Sequence, residues 1–260
     1  MRYQFCSVER QGRLTTITIN RPEVMNALHS PAHFELAHAF DSFAADPEQW
    51  VAILTGAGEK AFSAGNDLKH QAAGGEMSRP PTGFGGITSR FDLDKPVIAA
   101  VNGIALGGGF EMALACDLLI SSSDAVFALP EPRVGLAALA GGVQRLARQV
   151  PMKQAMGLIL TGRRVTAQEG ERLGFGNEVV PVAMLRDAAR RWAQSVLECS
   201  PLSVRASKQA LMRGLDEPTL SDAMINQRSY PAARAMFESE DFIEGPKAFS
   251  EKRKPVYRGR

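Results

Sequence analysis

Cysteine is scarce in this chain of 260 residues, and the few cysteines follow no recognisable pattern. Cys6, Cys116 and Cys199 are an odd number of thiols, without the spacing of a zinc site or of a disulfide framework. Sparse, unpatterned cysteines are typical of reduced thiols in the cytoplasm. We therefore expect a cytoplasmic protein with no metal site.

Long apolar runs and a strong charge of one sign are also lacking. No apolar stretch reaches the length that spans a bilayer, and residues 1–6 do not form the apolar core of a signal peptide. The 30 lysines and arginines nearly balance 28 aspartates and glutamates, which leaves a net charge of +2. So mild a charge does not favour nucleic acid. We expect neither a membrane nor a nucleic acid as a partner.

Several common chemical motifs are missing as well. The chain has no Gly-x-Gly-x-x-Gly at residues 103–109, no Gly-Lys-Ser or Gly-Lys-Thr of a P-loop, and no Gly-x-Ser-x-Gly nucleophile turn. These absences argue against a dinucleotide site, a nucleotide-phosphate site and a serine hydrolase. The histidines have no companions with metal-like spacing, and we expect most of them at the surface: His29, His33, His38 and His70.

Hydrophobic residues make up 45% of the chain, and strand patterns alternate with helix patterns over most of its length. β-Branched and apolar runs predict strands at residues 14–20, 51–55, 97–101, 118–120 and 125–128. Between and beyond them, helices are expected at 33–45 (with Ser30 as N-cap), 110–115, from 143, and at 184–199, 201–213 and 220–238. The alternation predicts an α/β fold, with a core over residues 1–199 and a helical region over 200–260.

The most informative stretch is residues 95–111. An apolar run after Pro96 predicts a strand buried on both faces, and the triple glycine Gly107-Gly108-Gly109 leads into a helix. The first N–H groups of a helix have no partner inside it, and they favour negative charge. A second glycine turn, Gly65-Asn66, also follows a buried strand. If the two strands are neighbours, both turns open at the same sheet edge, and two backbone N–H groups can form an oxyanion hole. The alternative is that these glycines only allow close packing.

Two glutamates lie near these turns in apolar surroundings. Glu111 is one helical turn after the glycines, and Glu131 lies between two prolines after a strand. Apolar neighbours raise the pKa of a carboxyl group, which suits general acid–base catalysis near neutral pH. For each glutamate alone, a solvated or ion-paired surface role is favoured. The pair beside an oxyanion hole favours catalysis.

These motifs together resemble the enoyl-CoA hydratase/isomerase (crotonase) family. The resemblance rests on residues 102–111 (Asn-Gly-Ile-Ala-Leu-Gly-Gly-Gly-Phe-Glu), on residues 61–68 (Ala-Phe-Ser-Ala-Gly-Asn-Asp-Leu) and on Pro130-Glu131, and it extends over nearly the whole chain. It implies a crotonase fold, a spiral of βα units whose C-terminal helices form trimers or dimers of trimers. It also implies an acyl-CoA substrate, with coenzyme A as part of the thioester and no separate cofactor.

The resemblance assigns roles to individual residues. The N–H groups of Asn66 and Gly108 would hold the thioester oxygen, Glu111 would activate water, and Glu131 would protonate Cα. Coenzyme A would contact an N-terminal loop, the segment around Asn66 and, from the C-terminal segment of the same or a neighbouring subunit, two further side chains. These expected CoA contacts are Val24, Met25, Ala27, Leu28, Ala64, Asn66, Asp67, Leu68, Lys69, Gly108, Phe249 and Lys252. For Lys69 and Lys252, a solvated surface charge is the alternative.

Departures from the family pattern bear on the reaction. Asn66 replaces the small apolar residue of many hydratases, but its backbone N–H is retained. Ala138 stands where many members have proline, and Leu139 where several have an acid that some isomerases and a dehalogenase need. We therefore expect an apolar acyl pocket and enoyl-CoA hydration. Residues 239–246 and 254–260 also resemble carnitinyl-CoA dehydratases, which are the second hypothesis. An isomerase and a binding module for acyl-CoA or RNA are further alternatives.

Overall fold

The computed structural model describes residues 3–260 as a mixed α/β fold, as the sequence predicts. Ten strands alternate with helices over the first two thirds of the chain, and helices alone follow. The strands are β1 Cys6–Gln11, β2 Leu14–Ile19, β3 Val51–Gly56, β4 Ala61–Ser63, β5 Val97–Val101, β6 Ile104–Leu106, β7 Leu118–Ser122, β8 Val126–Ala128, β9 Val165–Thr166 and β10 Glu178–Val180. The α-helices are α1 Ser30–Ala45, α2 Leu68–Ala72, α3 Gly108–Ala115, α4 Gly142–Gln149, α5 Met152–Thr161, α6 Ala167–Leu173, α7 Leu185–Leu197, α8 Pro201–Gly214, α9 Leu220–Asn226, α10 Pro231–Phe237 and α11 Glu240–Ser250.

The larger sheet has the strand order β1-β2-β3-β5-β7-β10. Only β1 runs antiparallel to its neighbour, and the other pairs are parallel. All five residues of β5 are buried, which confirms the predicted strand covered on both faces. Helix α7 packs on one face through Leu185, Ala188 and Ala193. The sheet therefore holds β3 and β5 side by side, and each of them is followed in the chain by a short strand, β4 or β6, that leads to one of the glycine turns.

A second sheet of short strands, in the order β4-β6-β8-β9, lies beyond the ends of the larger one. Strand β6 is not predicted by the sequence because three residues after Asn102-Gly103 are too few to show a periodic pattern. It pairs in parallel with β4 and β8. A side chain at Gly103 would overlap the Lys60 carbonyl, so only glycine allows this close pairing. Strand β6 carries the chain directly into the triple glycine.

Three helix predictions are wrong in detail. Ser30 is the first residue of α1 rather than its N-cap, which is His29, and the Ser30 hydroxyl donates to the Glu76 carbonyl (2.7 Å). The predicted helix over 220–238 is broken between α9 and α10, because Pro231 starts a new helix. Helix α11 was not expected. The division into a core over residues 1–199 and a helical region over 200–260 stays a prediction.

The triple glycine lets two turns approach closely. A Cβ on Gly109 would overlap the Ser63 carbonyl at the end of β4, so the backbones of α3 and β4 are in direct contact. Behind them, the rings of Phe110, Phe127 and Phe175 pack with centroids 5.1–5.2 Å apart. These rings are buried and hold the start of α3 against the second sheet.

We predict opposite effects for two glycine-to-alanine substitutions in helices. Gly109→Ala forces Ser63 away and should lower the free energy of unfolding by about 3 kcal/mol. Gly157→Ala is the matched control, because its Cβ meets no atom within 4 Å in α5. Higher helix propensity should then raise stability by about 0.5–1 kcal/mol. Denaturant unfolding followed by circular dichroism measures both, and equal changes would contradict the close packing.

Candidate active site

The first part of the site is the start of α3. Gly107 has a φ of +52°, which favours glycine, and its N–H donates to the Ala128 carbonyl (2.9 Å). Gly108 is the first residue of α3, where an N–H has no carbonyl partner one turn back. Within the described part of the chain, its N–H donates no hydrogen bond. The helix therefore presents a free donor at its N-terminus, where negative charge is stabilised.

The second part is the turn after β4. Gly65 has a φ of +87°, and a Cβ on it would lie 2.6 Å from the Leu106 carbonyl and 3.0 Å from the Gly108 nitrogen. The Leu28 N–H donates to the Gly65 carbonyl (2.7 Å), which fixes the orientation of this turn. The next residue is Asn66, whose N–H is also without an acceptor among residues 3–260. The structure thus brings the two predicted oxyanion donors to neighbouring turns.

Gly108 has a further contact that the sequence does not reveal. A glycine at this position leaves space that another group can fill. A Cβ there would overlap Cζ, Cε1 and Cε2 of Phe84, so the tip of that buried ring occupies the space. Phe84 belongs to a short 3₁₀ turn, Phe84–Gly86. Its ring therefore packs directly against the Cα of Gly108, next to the donor.

Glu111 is the more buried of the two glutamates, with 3% of its surface exposed. Its Oε1 accepts from the Gly142 N–H at the start of α4 (2.9 Å). Burial raises the pKa of Glu111 to about 7, and the Glu131 charge adds to this, while the N–H groups of Gly142 and Ala140 oppose it. A carboxyl group with this pKa exchanges protons near neutral pH, as general acid–base catalysis requires.

Glu131 begins a 3₁₀ turn, Glu131–Val134, directly after Pro130. Its Oε1 lies 2.8 Å from the position that a Cβ on Gly107 would take. Its Oε2 is buried and has no hydrogen-bond partner among the described residues. Burial raises its pKa, partly offset by its own backbone N–H. The structure therefore places both carboxyl groups around the start of α3, each with a pKa above its usual range.

The side chains beside the Asn66 donor have structural roles. Asn66 Nδ2 donates to Gln71 Oε1 (2.9 Å). Asp67 caps α2 by accepting from the His70 N–H, and it forms an ion pair with Arg21 (3.0 Å). Burial opposes its ionisation, but these two partners outweigh burial and lower the pKa of Asp67. Asp67 is therefore a charged residue that fixes the turn.

The N-terminal loop predicted to contact CoA lies against β4. Met25 and Asn26 have positive φ values of 58° and 55°, and the Ala64 N–H donates to the Met25 carbonyl (2.9 Å). The Asn26 amide donates to the carbonyls of Ala57 (3.0 Å) and Ala61 (2.8 Å). Asn26 thus holds the loop in place, a role that residue type alone does not indicate.

A cavity of about 260 Å³ lies beside this loop, away from the two glutamates. It includes Met25 of the predicted CoA contacts and the side chain of Lys60. It is lined by Pro22, Met25, Asn26, Ala57, Gly58, Glu59, Lys60 and Ala61.

The remaining predicted CoA contacts are arranged in three groups. Val24, Ala27 and Leu28 belong to the loop, and Ala64, Leu68 and Lys69 flank the Asn66 turn. Phe249, in α11, is 86% exposed, and Lys252 follows that helix with a φ of 54°. No hydrogen bond or ion pair in residues 3–260 links either side chain to the two turns, so their contact with CoA stays a prediction.

Two histidines do not lie where the sequence suggested. His29 and His33 are buried, with 9% and 1% of their surface exposed, so the expectation of mostly surface histidines is wrong for these two. The reason is that α1 packs against the turn that carries Phe84, and His33 contacts its ring. Leu139, expected to line an apolar pocket, is 77% exposed in this single chain.

Comparison with known proteins gives the class of this fold. The chain superposes on an enoyl-CoA hydratase from Mycobacterium tuberculosis H37Rv with a TM-score of 0.92 and 37% identity, covering 98% of this chain and 99% of the other. An enoyl-CoA hydratase from Bacillus anthracis gives 0.89 and 36%, covering 99% and 100%. The expected crotonase fold is confirmed.

The family follows from the sequence comparison. Residues 9–260 match the family described as enoyl-CoA hydratase/isomerase, and the chain belongs to this family. It is also 45% identical over 258 residues to proteins named carnitinyl-CoA dehydratase from Citrobacter koseri and Salmonella agona, covering 96% of this chain and 97% of theirs. Within residues 3–260, no helix has the length and apolar character needed to cross a membrane.

The buried Glu111 carboxyl should make stability depend on pH. Its pKa in the folded protein is about 7, above the usual 4.5. Its contribution to the free energy of unfolding is therefore fully present below pH 4.5 and is lost as the pH rises through 7. Glu111→Gln removes this loss but keeps an acceptor for Gly142. The variant should therefore gain about 2 kcal/mol over the parent between pH 5 and pH 8. Urea unfolding at both pH values measures the gain.

The matched control for this prediction is Glu171→Gln, because Glu171 is exposed on α6. Its stability relative to the parent should be the same at pH 5 and pH 8. A Glu111→Gln variant that behaves like this control would show that Glu111 is not desolvated.

Proposed function

We propose that this protein catalyses the reversible syn addition of water to a trans-2-enoyl-CoA. One observation carries the proposal: a buried carboxyl group (Glu111) and a half-buried one (Glu131), both of raised pKa, flank the glycine turns that present two free N–H donors. Hydration needs this combination, because a proton must leave water, another must reach carbon, and negative charge must be held on the thioester oxygen between these events.

The Asn66 and Gly108 N–H groups are the proposed oxyanion hole. As water adds to Cβ, electrons move onto the thioester oxygen, and an enolate forms. Two N–H donors and the N-terminus of α3 stabilise this charge. The Phe84 ring packs against Gly108, and an apolar neighbour strengthens these hydrogen bonds because it lowers the local dielectric constant. The thioester carbonyl therefore binds at the contact between the two turns.

The two glutamates divide the proton transfers. Glu111 in its ionised form takes a proton from the attacking water, and Glu131 in its protonated form gives a proton to Cα. The repulsion between their charges raises the pKa of Glu111 and favours a pair that holds one proton. The addition is then balanced: one hydroxyl group bonds to Cβ and one hydrogen to Cα, and the dehydration follows the same path in reverse.

The proposed CoA site is the surface formed by the N-terminal loop and the Asn66 turn. Met25 borders the cavity there, and Lys60 and Lys69 bring positive charge for phosphate groups. Phe249 and Lys252 would complete the site, from the same or a neighbouring subunit. An assembly of trimers is supported by exposed apolar side chains on the C-terminal helices, among them Leu220 (78%), Ile225 (72%) and Ile243 (69%).

A second candidate is the dehydration of carnitinyl-CoA, which the 45% identity to proteins of that name favours. Its chemistry would use the same glutamates and donors, and only the acyl group differs. Double-bond isomerisation is the remaining alternative within the family. Turnover of several enoyl-CoA thioesters, including crotonobetainyl-CoA, with product analysis separates these three reactions.

Removing either carboxyl group should abolish hydration. We expect Glu111→Gln and Glu131→Gln each to lower kcat for crotonyl-CoA by about 10³-fold or more, because each removes one proton transfer. Loss of absorbance of the conjugated thioester measures the rate, and calorimetry with butyryl-CoA checks that binding persists. Glu171→Gln should retain full activity. Unchanged turnover in both active-site variants would contradict the proposal.

The pH dependence of kcat/KM should show the Glu111 ionisation. Glu111 must be ionised to accept a proton from water, and its pKa is about 7. Activity should therefore fall about tenfold per pH step below 7. At high pH, loss of the Glu131 proton should lower it again. A profile that is flat between pH 5.5 and 7 would contradict the assignment of Glu111 as base.

A further inference from the structure

The Phe84 ring connects the proposed thioester site with two polar side chains that hydration does not use. Its tip meets Gly108. The Arg79 guanidinium carbon lies 5.2 Å from the ring centroid, and the His33 ring packs against it at 4.4 Å and 70°. Arg79 and His33 are therefore one aromatic ring away from the oxyanion donor.

His33 presents a buried hydrogen-bond donor without an acceptor. The Gly85 N–H donates to its Nδ1 (3.0 Å), and a backbone amide can only donate, so Nδ1 carries no proton. Burial, the Arg79 charge and His29 lower the pKa of His33 to about 3, so the ring is neutral and its proton is on Nε2. Within the described part of the chain, Nε2 is buried and has no partner. An unmet buried donor is costly, and a ligand oxygen would satisfy it.

Arg79 supplies positive charge at the same place. Arg79 is exposed, and within residues 3–260 its guanidinium forms no ion pair or hydrogen bond. Burial raises the pKa of the Glu111 carboxyl, and the Arg79 charge is one of the smaller influences that oppose this rise. Arg145 adds a second positive charge near Glu111, with its Nη2 donating to the Thr88 carbonyl (2.9 Å). Two arginines and an unpaired donor thus lie near Phe84 or Glu111.

We propose that Arg79 and His33 select acyl-CoA substrates whose acyl chain ends in a carboxylate. The forked guanidinium of Arg79 pairs with that carboxylate, and the His33 Nε2–H donates to one of its oxygens. The same charges repel a quaternary ammonium group, so a trimethylammonium acyl chain is disfavoured. This inference rests on the acyl-CoA site proposed above and names its substrate class.

Three saturated thioesters test the inference without any turnover. Butyryl-CoA, glutaryl-CoA and γ-butyrobetainyl-CoA share a four-carbon acyl chain and carry hydrogen, carboxylate or trimethylammonium on its last carbon. Calorimetry on the full-length protein should give at least tenfold tighter binding of glutaryl-CoA than of γ-butyrobetainyl-CoA. Arg79→Gln should reduce this ratio about tenfold, and Arg79→Glu should reverse the order of the two ligands.

His33→Asn tests the second side chain, because the asparagine amide oxygen can replace Nδ1 as acceptor for Gly85 while the Nε2 donor is lost. In this variant, the ratio of the affinities for glutaryl-CoA and γ-butyrobetainyl-CoA should fall about threefold to tenfold. Circular dichroism checks that the variant folds. Arg190→Gln, an exposed arginine on α7, is the matched charge control and should keep the parent ratio.

The outcomes separate this inference from the proposed function. A binding ratio near one in the parent, or the same ratio in Arg79→Gln, would overturn it, and Arg79 would then be only a surface cation over Phe84. If Arg79→Gln lowers the binding ratio and His33→Asn does not, the role of His33 is overturned and that of Arg79 stands. The Nε2 of His33 would then be bonded to water. Failure to hydrate crotonyl-CoA or trans-glutaconyl-CoA, with the binding ratio intact, would reject hydration and leave the carboxylate site standing.

Discussion

The contact between two glycine turns is the constraint on which the rest of the structure depends. Gly65 approaches the Gly108 nitrogen, and Gly109 packs on the Ser63 carbonyl, so neither turn can accept a side chain at these positions. Parallel pairing of β4 with β6 brings the turns to the same edge of the second sheet. Because packing fixes the backbone of both turns at this contact, the free N–H groups that the two turns carry are neighbours.

The second constraint is the removal of the Glu111 and Glu131 carboxyl groups from water, which raises their pKa values. Helix α3 is buried along almost its whole length, and the carboxyl group of Glu111 in this helix accepts a hydrogen bond from the Gly142 N–H. A polar surface would leave its pKa near 4.5 and make it a weak base at neutral pH. Stability is therefore lower at neutral pH, where ionised Glu111 is poorly solvated, but Glu111 titrates near neutral pH, where proton transfer is useful, and burial raises the pKa of Glu131 as well.

The sequence predicts the parts of this arrangement that have a local signal. Strand β5, the triple glycine and the α/β alternation follow from hydrophobic pattern and residue type, and the motifs around Glu111 and Glu131 identify the family. Strand β6 is too short for a pattern. The roles of Asn26 and His33 depend on partners 31 to 52 residues away in the chain, so no local rule finds them. The unpaired Nε2 of His33 is a property of tertiary packing alone.

The Phe84 ring contacts both the proposed oxyanion hole and the two residues that we propose select the acyl group. Its tip packs against Gly108, the His33 ring contacts it in a T-shaped arrangement, and the Arg79 guanidinium lies over its face. Strands and glycine turns set the donor geometry, whereas Arg79 and Phe84 belong to the segment between α2 and β5, which contains no strand. A change in that segment can therefore alter the acyl group that binds without moving either N–H donor. The chain can therefore share 45% identity with proteins named carnitinyl-CoA dehydratase and still differ from them in the acyl group that we propose it binds.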